Sequence, residues 1–92
     1  MNTSLDKVTT YILYNRREGK YYRSNSDYIS ANYTLVRNEI DTTPLTDILD
    51  VIYLLEDLNI DDWSISIILK NLFLTEISLR DFVNIVIKGE PI

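Results

Sequence analysis

The chain has 92 residues, a formal net charge of −5, and neither histidine nor cysteine. That length accommodates one domain, residues 1–92, and 46% apolar with 25% charged residues is the balance of a chain that folds. Without histidine or cysteine the chain loses the commonest general base, the commonest metal ligand and the most reactive nucleophile. Composition therefore points away from an enzyme, a metal centre or a bound cofactor.

The stretch from Met1 to Lys7 lacks the basic-then-apolar layout of a secretory signal, and the apolar runs are far too short to span a bilayer. A cytoplasmic protein is the expectation, and the lack of cysteine fits a reducing compartment. Isoleucine, asparagine, tyrosine and aspartate abound, while alanine occurs once, at Ala31. That bias fits an AT-rich genome such as that of a low-GC bacterium or its phages.

The N-terminal half supports two readings. In the preferred one, Thr3 caps a helix with Asp6 three residues on, Leu5, Val8 and Ile12 line its face, and Arg16, Arg17 and Gly19 close it. A second helix starts at Ser24, with Asp27 three residues later, and carries Ile29, Tyr33, Val36 and Ile40. In the alternative, residues 8–14 form a β-branched and aromatic strand, Glu18-Gly19 turns a hairpin into Tyr21-Tyr22, and residues 32–37 form another strand, giving an α+β domain.

The C-terminal half predicts three helices. Thr43 caps the first, with Pro44 at its first position and Leu45, Ile48, Leu49, Ile52 and Leu55 on its buried face. Asp61 caps the second, Ile60 and Ile65 form a hydrophobic staple, and Ile65, Ile68, Leu69, Leu72 and Phe73 form its stripe. Ser78 with Asp81 opens the third, stapled by Ile77 and Phe82, and Lys88, Gly89 and Pro91 end it. The predicted fold is mainly α, a small single-domain helical bundle. The last two helices do not read as a DNA-binding helix-turn-helix, because no glycine falls in the turn and the final helix offers only Arg80, Asp81 and Asn84 for contacts.

Candidate contact residues fall into three groups. On the second predicted helix, Trp63, Ile67 and Leu74 make an additional apolar stripe, which is either core or an interface. On the first, Tyr53 and Leu54 lie among Asp47, Asp50 and Asp57, an apolar centre with a charged rim that Asp61 and Asp62 extend. Six of the seven tyrosines fall between Tyr11 and Tyr33, interleaved with Arg16, Arg17, Lys20 and Arg23, a local patch for phosphate or an acidic partner. Residues 1–39 carry net +2 and residues 40–92 net −7, an asymmetry that serves internal pairing, a homodimer or a basic partner.

These features predict a small acidic protein-binding module that works as a homodimer on another protein, including one that itself binds nucleic acid. A phage- or mobile-element-encoded inhibitor or adaptor that blocks a basic host surface fits best. The alternatives are a small DNA-binding regulator using a helical hairpin or the Arg16–Arg23 segment, and a structural subunit of a larger assembly. Direct nucleic-acid binding is disfavoured by the sequence pI of about 4.5.

Overall fold

The computed structural model describes residues 9–69 and 74–89. Its centre is a five-stranded antiparallel sheet, formed by β1 (Thr9–Asn15), β2 (Lys20–Ser24), β3 (Tyr33–Val36), β4 (Trp63–Leu69) and β5 (Leu74–Ser78) in the order β3-β2-β1-β4-β5. Helix α1 (Ile48–Leu54) lies between β3 and β4 in sequence, and α2 (Leu79–Phe82) follows β5 and runs into a π-type turn over Val83–Ile87. The helical bundle expected from sequence is thus replaced by an α+β domain dominated by its sheet.

The N-terminal half takes the hairpin reading. β1 pairs with β2 through Tyr14↔Tyr21 and Asn15↔Lys20. The turn between them is fixed by Asn15, whose side-chain oxygen accepts from the Glu18 N–H at 2.8 Å while its carbonyl accepts from the Gly19 N–H at 2.8 Å. Gly19 sits at φ +69°, where a side chain is costly. Ser24 caps no helix: its hydroxyl donates to the Tyr28 carbonyl at 2.5 Å within the loop leading to β3. The proposed Thr3 cap lies outside the described residues.

The largest correction falls on residues 61–78. Residues Trp63 to Leu69 form a strand, in register with β1 from Asn15↔Trp63 to Thr9↔Leu69. The period is two: Trp63, Ile65 and Ile67 face the core, while Ser64 and Ser66 alternate with them. Trp63, Ile65 and Ile67, which the helical reading divided between two stripes, share one face of this strand. The following Leu74–Ser78 segment is the edge strand β5, so neither a helical hairpin nor a helix-turn-helix exists there. Leu72 and Phe73 lie outside the described residues.

The sheet splits on one side of β1. Its lower half pairs with β2, but Tyr11 instead exchanges hydrogen bonds with Leu45, at 2.7 and 2.8 Å. The Tyr22 carbonyl accepts from the Thr43 N–H at 2.9 Å and the Thr42 hydroxyl at 2.6 Å, and the Thr43 hydroxyl oxygen accepts from the Ser24 N–H at 2.9 Å. Residues 42–45 are therefore a wedge between β1 and β2. This explains why Thr43 and Pro44 do not start a helix: their backbone is committed to the sheet. Helix α1 begins later, with Asp47 as its cap accepting from the Leu49 N–H at 2.9 Å.

One sheet face carries the core. Leu13, Tyr22, Trp63 and Ile65 meet Leu45, Val51, Leu54 and Leu58 from the α1 segment and Leu79 and Phe82 from α2, all buried. Each such side chain contributes roughly 1.5–3 kcal/mol of burial. Aromatic rings tie the layers together: Tyr33 meets Tyr22 at 5.4 Å and Trp63 edge-on at 5.8 Å, and Tyr11 meets Phe82 edge-on at 5.8 Å. The buried Tyr22 hydroxyl donates to the Ser30 carbonyl (2.6 Å) and accepts from the Ser30 N–H (3.1 Å), so it enters the core fully bonded. The Ser78 cap read from sequence is present, its hydroxyl accepting from the Asp81 N–H at 3.1 Å. Gly89, at φ +70°, follows the last turn.

Candidate functional site

The outward side of α1 concentrates exposed apolar surface. Leu49, Ile52 and Tyr53 are 66%, 39% and 55% exposed, and their spacing of three and four residues puts them side by side on one helical turn. The helix is oriented by the opposite row, Val51 and Leu54, which with Leu58 enters the core. The chain is apolar nearly all round from Ile48 to Leu55, so burying one row strands the other in solvent.

Carboxylates surround this patch. Asp47 and Asp50 flank the start of α1, where the positive end of the helix dipole favours them. Glu56 and Asp57 lie just past its end, exposed, where the dipole is negative and a carboxylate is disfavoured. None of the four forms an ion pair among the described residues. The signal was present in the sequence: residues 38–69 contain eight acidic residues and no lysine or arginine. The field reaches inward as well. Burial, followed by Asp47, raises the Tyr11 pKa; burial is also the first cause at Tyr22, where bonds from Ser30 and Ser24 lower it and Asp50 and Tyr53 raise it.

The structure separates the residues that sequence grouped together. Tyr53, Asp47, Asp50 and Asp57 share the α1 region, but Leu54 is buried beneath it, replaced on the surface by Leu49 and Ile52. Trp63 is buried at the centre of the core and Ile67 packs half-buried against it. Leu74 begins β5, and its side chain lies outside the described residues.

Asp61 and Asp62 belong to a different constellation. Asp61 takes both Arg80 Nη2 at 2.6 Å and Nε at 2.8 Å on one oxygen, and its carbonyl accepts from Arg16 at 2.9 Å. Arg17 lies 3.8 Å from Asp62. Of the basic patch, Arg17 thus faces a carboxylate of the same chain, while Arg16 is held by a main-chain carbonyl. Of the rest, Arg23 donates to the Asp41 carbonyl at 3.2 Å, and Lys20 is half-buried on β2.

Among the described residues no helix is long and apolar enough to cross a membrane. Comparison with protein-family models, with curated proteins and with solved structures gives no match. The chain has a definite class of architecture: an antiparallel sheet with two short helices on one face, carrying an acidic, apolar-centred helix surface.

Proposed function

We propose that this protein is a non-enzymatic, cytoplasmic binding module that docks the outer side of α1 onto a basic groove of another protein. The observation that supports this reading is the exposed Leu49–Ile52–Tyr53 patch inside four carboxylates that form no ion pair among the described residues. An apolar centre supplies contact area, and tyrosine supplies it at low entropic cost. The carboxylates supply long-range attraction to a cationic surface and set the orientation of approach. Folding alone does not account for Glu56 and Asp57 at the unfavourable end of the helix dipole; a cationic partner relieves both that and their mutual repulsion. An inhibitor or adaptor from a phage or mobile element, covering a surface that normally faces nucleic acid, works this way.

Charge weighs against a homodimer through this face and against DNA binding. A two-fold contact through α1 would bring Asp50, Glu56 and Asp57 against the carboxylates of the other copy, which opposes a homodimer on this face. A DNA-binding role would draw on Arg16 and Arg17, both already engaged with Asp61 and Asp62.

The test is affinity capture from source cells with the wild type, E56K/D57K and L49A/Y53A, followed by mass spectrometry and salt elution. A basic protein is expected on the wild type, absent from both variants, and released as salt shortens the Debye length from about 10 Å at 0.1 M to about 3 Å at 1 M. Removing two carboxylates from the end of α1 stabilises the fold by about 0.3–1 kcal/mol each, so lost binding cannot be ascribed to unfolding. Identical captured proteins in all three samples, or retention of duplex DNA at moderate salt, would refute the proposal.

A further inference from the structure

The sheet face turned away from the helices holds a cavity of about 290 Å³ lined by Tyr14, Tyr21, Glu39, Ser66 and Glu76. At roughly 30 Å³ per water molecule this is room for about ten waters, the scale of a small aliphatic molecule. It is independent of the α1 surface, because side chains alternate across the strands: Leu13 and Tyr22 face the core while Tyr14 and Tyr21 face the cavity.

Its chemistry selects a cation. Tyr14 and Tyr21 sit 4.9 Å apart between ring centroids at an interplanar tilt of 59°, offering two π-surfaces. Glu39 accepts a long bond from the Tyr21 hydroxyl at 3.5 Å, and Glu76 accepts from the Ser64 hydroxyl at 2.9 Å. Neither carboxylate is ion-paired among the described residues. The Tyr21 pKa is raised first by burial and then by Glu39, with a smaller contribution from Glu76, so both carboxylates act on the same phenol. An anion is repelled here. A hard divalent ion requires six or more oxygens, whereas an alkylammonium is satisfied by rings and carboxylates together.

The strand order sets the shape of the ligand. Glu39 follows β3 at one side, Glu76 lies on the edge strand β5 at the other, and the Tyr21 and Tyr14 rings on β2 and β1 lie between. We propose that this cavity binds a short linear aliphatic diamine or triamine, its methylene chain over the two tyrosine rings and its terminal ammonium groups on Glu39 and Glu76.

The experiment is a two-dimensional amide NMR titration of the full chain with putrescine and spermidine, against butylamine, N-acetyl-lysine methylamide and sodium chloride at matched ionic strength. Saturable shifts at Tyr14, Tyr21, Ser66 and Glu76 are expected, with the diamines bound about tenfold more tightly than butylamine, the worth of one charge-assisted contact. E39Q and E76Q each remove that advantage while leaving the unfolding midpoint unchanged, and L49A/Y53A leaves amine binding intact. Absence of saturable shifts, equal affinity for butylamine and putrescine, binding of the lysine amide as tight as that of the diamine, or indifference to both glutamine substitutions would overturn the proposal.

Discussion

Replacing Trp63 by alanine removes the largest fully buried side chain of the domain. Truncating a buried tryptophan typically costs about 3–5 kcal/mol, combining lost transfer energy with the cavity left behind. The edge-on contact with Tyr33 at 5.8 Å is lost with it, which places the value towards the upper end. A chain of this size has roughly 5–14 kcal/mol of total stability at about 0.05–0.15 kcal/mol per residue, so W63A forfeits a third or more of it. The thermal midpoint falls by roughly 16–40 °C for a loss of about 4–5 kcal/mol at about 4–8 °C per kcal/mol. Urea unfolding followed by far-ultraviolet circular dichroism measures this, since the substitution removes the only tryptophan. W63F, which keeps a ring against Tyr33, is expected to lose less than half as much. Wild-type fluorescence supplies an independent check: the indole emission is blue-shifted and poorly quenched by acrylamide until the protein unfolds. A loss below about 1 kcal/mol, or ready quenching of the native protein, would refute the placement of Trp63 on the inner face of β4.

Two further outcomes follow from the same geometry. Tyr11, Tyr21 and Tyr22 all have pKa values raised above 10.0, in each case chiefly by burial. The unfolded chain therefore releases these protons first as pH rises, and the stability they contribute, complete below pH 10, declines as pH climbs through the folded values; a pH series of urea midpoints extended into alkali reads this, and a flat series contradicts it. Gly19→Ala leaves the added carbon 3.6 Å from the Tyr14 hydroxyl, an ordinary contact, but keeps φ at +69°. A loss of about 1–2 kcal/mol from backbone strain alone is expected, and no loss in urea unfolding would show that the turn takes another conformation.

The features legible in the sequence were those governed by local hydrogen bonds. The Ser78 cap with Asp81 and the Gly89 stop each depend on a few neighbouring residues, as does the Gly19 turn, which belongs to the alternative hairpin reading and not to the preferred helical one. The fold class depended on choosing between periods of two and 3.6, and Trp63-Ser64-Ile65-Ser66-Ile67 has the shorter one. It read as a helix because Asp61 sat at a cap offset and Ile65, Ile68 and Leu69 matched helical spacing. On the strand, Trp63 and Ile65 share the core face, and the alternating serines account for the pattern. Helix α1 was foreseen, but its rotation about its own axis was not. With apolar residues at Ile48, Leu49, Val51, Ile52, Tyr53, Leu54 and Leu55, periodicity cannot select the buried row. The selection comes from outside the helix, where the bridge from Leu45 to Tyr11 fixes how the chain enters it. Tyr53 and its acidic neighbours were therefore identified, whereas Leu54 exchanged places with Leu49 and Ile52. Pairing of Arg16, Arg17 and Arg80 with Asp61 and Asp62 spans too much sequence to be read without the sheet.

The central strand β1 also sets the tempo of folding. Its hairpin with β2 closes over a few residues, an event of about 1–10 μs for an isolated hairpin, but its other edge waits for a strand that begins only at Trp63. At a synthesis rate of about 5–20 residues per second, the intervening chain takes seconds to emerge. During that interval β1 presents an unpaired edge with Tyr11, Ile12 and Leu13 uncovered, a template on which a second nascent copy could pair in place of β4. Misassembly on the ribosome, rather than unfolding of the finished domain, is then the hazard built into this topology, and slowing translation between residues 16 and 62 would aggravate it.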